Sequence, residues 1–258
     1  MGQACPVGDT GEEAMERGKR LLLGFRRARA SKQEELYLEC ALDRLRGLGW
    51  TVDVGDPSTW DHTFDYSKYE VAALVASCTP VKDPELLLKL LVNGSLGFIV
   101  FGAWNAAATM QHVGLLSRDK VKHQNASQVQ KTCVQHFITG HLVPNRVHDF
   151  GIRYVSCALQ PGARTSVLLD VDGDAALVVH NEYRAAISHW TADPSQHSQE
   201  SRESIFCTER SLMWAAGMTG SPVDGGSPVA RPPVQRPLPS PPPKGMADST
   251  GGPVAYSP

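Results

Sequence analysis

No stretch of the 258 residues holds the roughly twenty consecutive apolar side chains needed to cross a bilayer, so no transmembrane segment is expected. Residues 1–20, MGQACPVGDTGEEAMERGKR, contain no apolar core, so a secretory leader is not expected there and a cytoplasmic setting is. Neither sign of charge dominates: the formal net charge of −2 excludes a strongly basic nucleic-acid binder and an acidic, self-repelling chain. The six cysteines (Cys5, Cys40, Cys78, Cys133, Cys157 and Cys207) have no C-x-x-C pair and no Cys/His ligand spacing. They are expected to be reduced, with no metal site and no cofactor implied. Gly2 and Cys5 occupy positions where acylation occurs in other chains, but Pro6 stands where the pattern requires Ser or Thr. An unmodified N-terminus is therefore expected, with peripheral attachment at the plasma membrane as the alternative.

What the chain does have is an ordinary globular body followed by a tail of quite different composition. From about residue 219 the sequence is rich in Pro, Gly and Ser and nearly free of large apolar residues. Such a segment cannot bury enough surface to offset its ordering entropy, so residues 219–258 are expected to be disordered. Residues 1–18 are read as a flexible N-terminus and residues 19–218 as one α/β domain. KRLLLGF (19–25), TVDVGD (51–56), YEVAALVAS (69–77) and LGFIVFG (96–102) read as strands. Between them lie amphipathic helices. The first, 31–50, has Leu36, Leu38, Cys40, Ala41, Leu45 and Leu48 along one stripe, with Ser31 and Glu34 spaced as a capping box. The second, 83–94, has Asp83 at the cap, Pro84 in the first turn and Gly94 at the stop. Apolar strands alternating with helices predict an open, mostly parallel sheet covered on both faces.

The second half is more mixed. Residues 125–138 are predicted helical, 150–156 a strand, 165–190 two or three strands with Asp172–Asp174 as a hairpin turn, and 203–217 a closing helix. DVDGD (170–174) also looks like half of a calcium loop, but it lacks the later Glu such a loop needs.

Three stretches resemble a known family: LVNGSLGFIVFGAWNAA (91–107), YRAAISHWTADP (183–194) and SLMWAAG (211–217). They resemble the class I glutamine-amidotransferase-like superfamily in its broad, flavodoxin-like sense. Within it the likeness is to ThuA-type proteins and to the amidotransferase-like domains of intraflagellar-transport subunits and ion-channel-associated factors. The resemblance implies a turn after the strand at 96–102 that would present a cysteine nucleophile, and a late strand ending in a histidine followed by a carboxylate. Such chemistry requires a thiolate on a strained turn, an imidazole in hydrogen-bond reach and a carboxylate to orient it. Here Trp104 stands in the cysteine position, Ala106 replaces a glycine, and Thr191 stands where the carboxylate belongs after His189. An indole cannot attack an acyl group, so the resemblance implies a fold without amidotransferase activity.

Two functional readings follow. The preferred one is a non-catalytic interaction or regulatory protein, a pseudoenzyme scaffold, with Trp104 plugging the disused site. The channel-associated relatives extend this to regulating or trafficking a membrane protein such as an ion channel. The alternative is a ThuA-like enzyme acting on a sugar or other small polar metabolite at a rim formed by Cys78, Trp104, Asn105 and His189. A third possibility is phosphate binding by Arg26, Arg27 and Arg29, beside the start of the helix at 31–50. In the tail, Arg236, Pro239 and Pro242 fit R-x-x-P-x-x-P, and Pro239, Pro242 and Lys244 fit the opposite orientation. Both are patterns of polyproline ligands for Src-homology-3-type domains.

Overall fold

A computed structural model describes residues 19–75, 80–102, 106–118, 121–151, 154–158, 160–189 and 199–218, with Arg29 and residues 121–125 and 154–158 described by their backbone alone. The chain runs β1 (Arg20–Gly24), α1 (Lys32–Gly47), β2 (Thr51–Gly55), β3 (Val71–Val75), α2 (Pro84–Val92), β4 (Gly97–Phe101) and α3 (Ala107–His112). It continues through β5 (Val121–Asn125), β6 (Gln128–Lys131), β7 (Val147–Asp149), β8 (Tyr154–Ala158), β9 (Thr165–Val171), β10 (Asp174–His180), β11 (Ala185–Ser188) and α4 (Arg202–Ala215).

The strands form one mixed sheet in the order β2-β1-β3-β4-β11-β10-β9-β6-β7, with β8 pairing with β10 and β5. The expectation of a mostly parallel sheet needs correcting. Only β2, β1, β3, β4 and β11 are joined by parallel ladders, and every other ladder among the described residues is antiparallel. The difference lies in the connections. Parallel neighbours need a long crossover, and α1 and α2 supply crossovers in the first half, whereas the second half is joined largely by hairpins and loops. All five residues of β3 and of β4 are buried, as in strands covered on both faces.

Local chemistry explains where the elements begin. Ser31 Oγ accepts the N–H of Glu34 at 3.3 Å, and the Glu34 carboxylate accepts the N–H of Ser31 at 2.6 Å, closing the capping box of α1. The buried face of α1 is Leu38, Ala41, Leu42 and Leu45, a helical repeat in which each leucine contributes about 1.5–3 kcal/mol by burial. Leu36, expected on that stripe, is instead 45% exposed. Asp83 caps α2 by accepting from Leu86 N–H at 2.9 Å, and Ser201 caps α4. Asp172 (φ 52°) and Gly173 (φ 87°) form the two-residue turn between β9 and β10, as their residue types predict.

Two sequence expectations fail. Residues 125–138 are not a helix: β6 lies there, with Gln128 and Gln130 exposed and Val129 and Lys131 buried, a period of two. Lys131 is wholly buried, and its ammonium donates to the carbonyls of Thr132 (2.9 Å) and Val134. The strand expected over 150–156 is described from Tyr154 to Ala158, and Phe150 and Gly151 lie outside it. Gly151 (φ 65°) turns the chain between β7 and β8, and a Cβ there would collide with the Gln199 carbonyl.

Candidate functional site

The carboxyl ends of β3, β4 and β11 lie side by side, because Val75 pairs with Phe101 and Phe101 pairs with Ser188. Open α/β sheets place ligands at such strand ends. His189 follows Ser188 there, one residue beyond β11, as the resemblance requires. The other residues read for this rim, Cys78, Trp104, Asn105 and Thr191, lie outside the described residues. So do the tail residues Arg236, Pro239, Pro242 and Lys244. Ala106 is described, fully buried at the start of α3.

His189 is completely buried. The edge of its ring meets the Phe150 ring at a centroid distance of 4.8 Å. Its Nε2 lies 3.0 Å from Ser204 Oγ on α4, and Ser204 donates its hydroxyl proton to Glu200 Oε1 at 2.5 Å. A serine hydroxyl has one hydrogen, so the imidazole must be the donor to Oγ. That fixes the proton of His189 on Nε2 and leaves a lone pair on Nδ1, which is buried and has no hydrogen-bond partner among the described residues. Burial, assisted by the charge of Arg44, pushes the imidazole pKa down to about 3, so the ring is neutral near pH 7.

The relay ends in an ion pair. Glu200, whose side chain is 2% exposed, is held by both terminal nitrogens of Arg44, through Nη1 and, at 2.6 Å, through Nη2. Nη2 also reaches Thr208 Oγ1 at 3.5 Å. A bidentate guanidinium–carboxylate pair is geometrically specific, and here it ties α1 to the start of α4 across 156 residues. The sequence pointed to His189 but not to Ser204, Glu200 or Arg44. The one available signal was the i, i+4 spacing of Glu200 and Ser204; nothing in the sequence connects Arg44 to them.

Chemically, this is an imidazole connected to a carboxylate through a hydroxyl, with its second nitrogen sealed. Ser204 gives its proton to Glu200 and not to the imidazole, so it is not an activated nucleophile. The arginine candidates separate too. Arg26 faces Asp56 at 3.7 Å, and the first turn of α1 is already occupied by its own capping box and by Glu34 and Glu35, which leaves that helix end unsuited to an anion. Among the described residues, no three His, Cys, Asp or Glu side chains come together as a metal-binding group, and no helix is long and apolar enough to cross a membrane.

No family profile and no curated protein matches the sequence. Solved structures do. The chain is similar to a putative ThuA-like protein from Bacteroides uniformis, at 16% identity over 77% of this chain and 91% of that one, with a TM-score of 0.57. It is also similar to alpha-L-fucosidase isoenzyme 2 from Paenibacillus thiaminolyticus, at 10% identity and TM-score 0.50, over 76% of this chain but 33% of that one. A glutamine amidotransferase shows 12% identity and TM-score 0.47 over 78% of this chain and 100% of that one. The class defined is thus an α/β fold of the kind seen in the ThuA-like structure. At these identities the likeness concerns the fold alone.

Proposed function

We propose that this chain is a non-catalytic interaction protein that keeps a ThuA-like, amidotransferase-like domain as a scaffold. The observation that carries the reading is the state of His189. Its imidazole is sealed from solvent, and its polar contact runs back into the core through Ser204, Glu200 and Arg44. A catalytic base must come within hydrogen-bond reach of a substrate proton, and an imidazole serving as a strut between β11 and α4 does not. Trp104 and Thr191, at the positions where the resemblance calls for a nucleophile and a carboxylate, support the same reading. The proline-rich segment around Arg236, Pro239, Pro242 and Lys244 then serves as a partner ligand, and the channel-associated resemblance makes a membrane protein the first partner to test for the domain.

The experiment is hydrolysis of glutamine, followed by ammonia release, and of a panel of p-nitrophenyl glycosides, followed by colour. Wild type and His189→Gln are expected to give the same background. Turnover lost in His189→Gln or Cys78→Ala, with melting temperature unchanged, would overturn the scaffold reading. It would support instead the ThuA-like enzyme, the alternative favoured by the unpartnered Nδ1 lone pair at the strand-end rim.

A further inference from the structure

β2 ends the parallel half of the sheet, and among the described residues one of its two edges has no neighbouring strand. In its register with β1, Thr51 N–H donates to the Lys19 carbonyl at 2.8 Å, and the Gly55 carbonyl accepts from Phe25 N–H at 2.9 Å. Backbone direction alternates along a strand, so Thr51, Asp53 and Gly55 turn their polar groups toward β1. Val52 and Val54 therefore point their N–H and C=O outward, and no hydrogen bond among the described residues takes them. A cleft of about 530 Å³ runs along this edge, between β2 and α1. Phe25, Leu42, Val52 and Val54 give it an apolar lining, and its charged lining is Arg27 and Arg46, both exposed, with Asp53 and Asp56.

The charges of the cleft are unequally satisfied. Asp53 is held by Arg20 at 3.2 Å, and Asp56 is engaged by Arg26 and by Ser58 N–H. Arg27 and Arg46 have no ion-pair partner among the described residues. The edge thus offers two backbone donors, two backbone acceptors, an apolar lining and two exposed arginines outside any ion pair among the described residues, Arg27 lying beside Glu35 and Glu39 in a smaller neighbouring hollow. We propose that it accepts an extended acidic segment of a partner protein, added as a strand beside β2. Main-chain hydrogen bonds supply affinity in such strand addition, and side chains facing the cleft supply specificity. A second copy of this chain fits less well, since pairing β2 with itself brings like-charged arginines together. A free phosphate would leave the apolar lining and the carbonyls unused. The inference is independent of whether His189 is inert.

The test uses the full chain and a fluorescein-labelled peptide of alternating valine and glutamate, with a valine–lysine peptide as control. The acidic peptide should raise anisotropy on binding and slow amide exchange at Val52 and Val54; the basic one should do neither. Val54→Pro removes an outward N–H without touching the ladder to β1, and edge strands tolerate proline. It should weaken binding at least about tenfold, as should Arg27→Glu with Arg46→Glu, which leaves every backbone group in place. Should Val54→Pro fail to fold by circular dichroism, the charge-reversal pair and the exchange data decide. Failure of the wild-type chain to bind the acidic peptide overturns the proposal, as does equal binding by the charge-reversal variant or by a folded Val54→Pro. A wild-type dimer that Val54→Pro makes monomeric also overturns it, by assigning the edge to a second copy, and competition by inorganic phosphate alone does so by assigning the arginines to a free anion.

Discussion

Ser204 Oγ stands between His189 Nε2, 3.0 Å away, and Glu200 Oε1, at 2.5 Å, so one hydroxyl joins the end of β11 to the buried ion pair of α1 and α4. The hydroxyl passes a hydrogen bond from imidazole to carboxylate without needing either group to be charged differently. Glu200 lies 11 residues beyond His189 in sequence and reaches it only through the serine, so the contact ties the end of β11 to the start of α4.

Ser204→Ala removes the middle of this chain and leaves the His189 donor facing a methyl group. The expected loss is about 1–3 kcal/mol of stability in urea unfolding, with helix content retained. Glu200→Ala should cost more, about 3–5 kcal/mol, because it removes the carboxylate that Arg44 grips through two nitrogens in a site where the arginine side chain is only 10% exposed. The double variant Arg44→Met with Glu200→Leu should be more stable than Glu200→Ala alone, since it replaces both charges of the pair by apolar side chains of similar bulk. A double variant no more stable than Glu200→Ala would mean that the pair does not act as a unit.

The buried imidazole also sets a pH dependence. The native pKa of His189 is pushed down to about 3, below the usual 6.5, so the unfolded chain binds this proton more readily than the folded one. The stability it contributes is complete above about pH 6.5 and is lost as pH falls toward 3, at up to about 1.4 kcal/mol per pH unit. His136, lowered to about 4 mainly by burial, has the same sign, so the comparison must be between variants. His189→Gln keeps a donor for Ser204 but does not titrate, and its unfolding free energy should fall less steeply than that of wild type between pH 6.5 and 4.5. Parallel slopes would show that His189 is not held neutral by the fold.

The tail can be tested apart from the domain. Arg236→Ala with Pro239→Ala removes the charge of one ligand pattern and a proline shared by both. Capture on an immobilised Src-homology-3 domain should drop at least about tenfold for the variant, because the arginine–acid contact and the ring-lined groove act together. Equal capture of both proteins would remove the tail from the functional reading.

How far the sequence disclosed the molecule depends on whether the determining interaction was local. Ser31 with Glu34, Asp83 with Pro84, and Asp172 with Gly173 each specify a cap or turn through neighbours, and all are formed. β6 was hidden because Lys131 reads as a surface residue, while in the fold its ammonium is satisfied by the carbonyls of the following turn. The later start of β8 was hidden because Gly151 makes a close approach to Gln199, a contact made 48 residues later. At the site, the position of His189 was legible from the resemblance. Its partners were not, because the bond from Arg44 to Glu200 depends on how α1 and α4 pack.

Gly97 provides the sharpest test of that packing. A Cβ built on it would collide with the Ala215 carbonyl and lie 3.0 Å from Ala215 Cα, so the first residue of β4 touches the last turn of α4 with no room for a methyl group. The obstacle is backbone and cannot rotate aside. Gly97→Ala must therefore push α4 away from the sheet or bend β4, and overpacking of this kind costs about 1–3 kcal/mol or more. Because α4 also carries Ser204, the displacement should weaken the His189 relay at the other end of the helix. The variant should melt below wild type and, in a cycle with Ser204→Ala, show a combined loss smaller than the sum of the two. A Gly97→Ala protein as stable as wild type would mean that β4 and α4 are not in contact at this point.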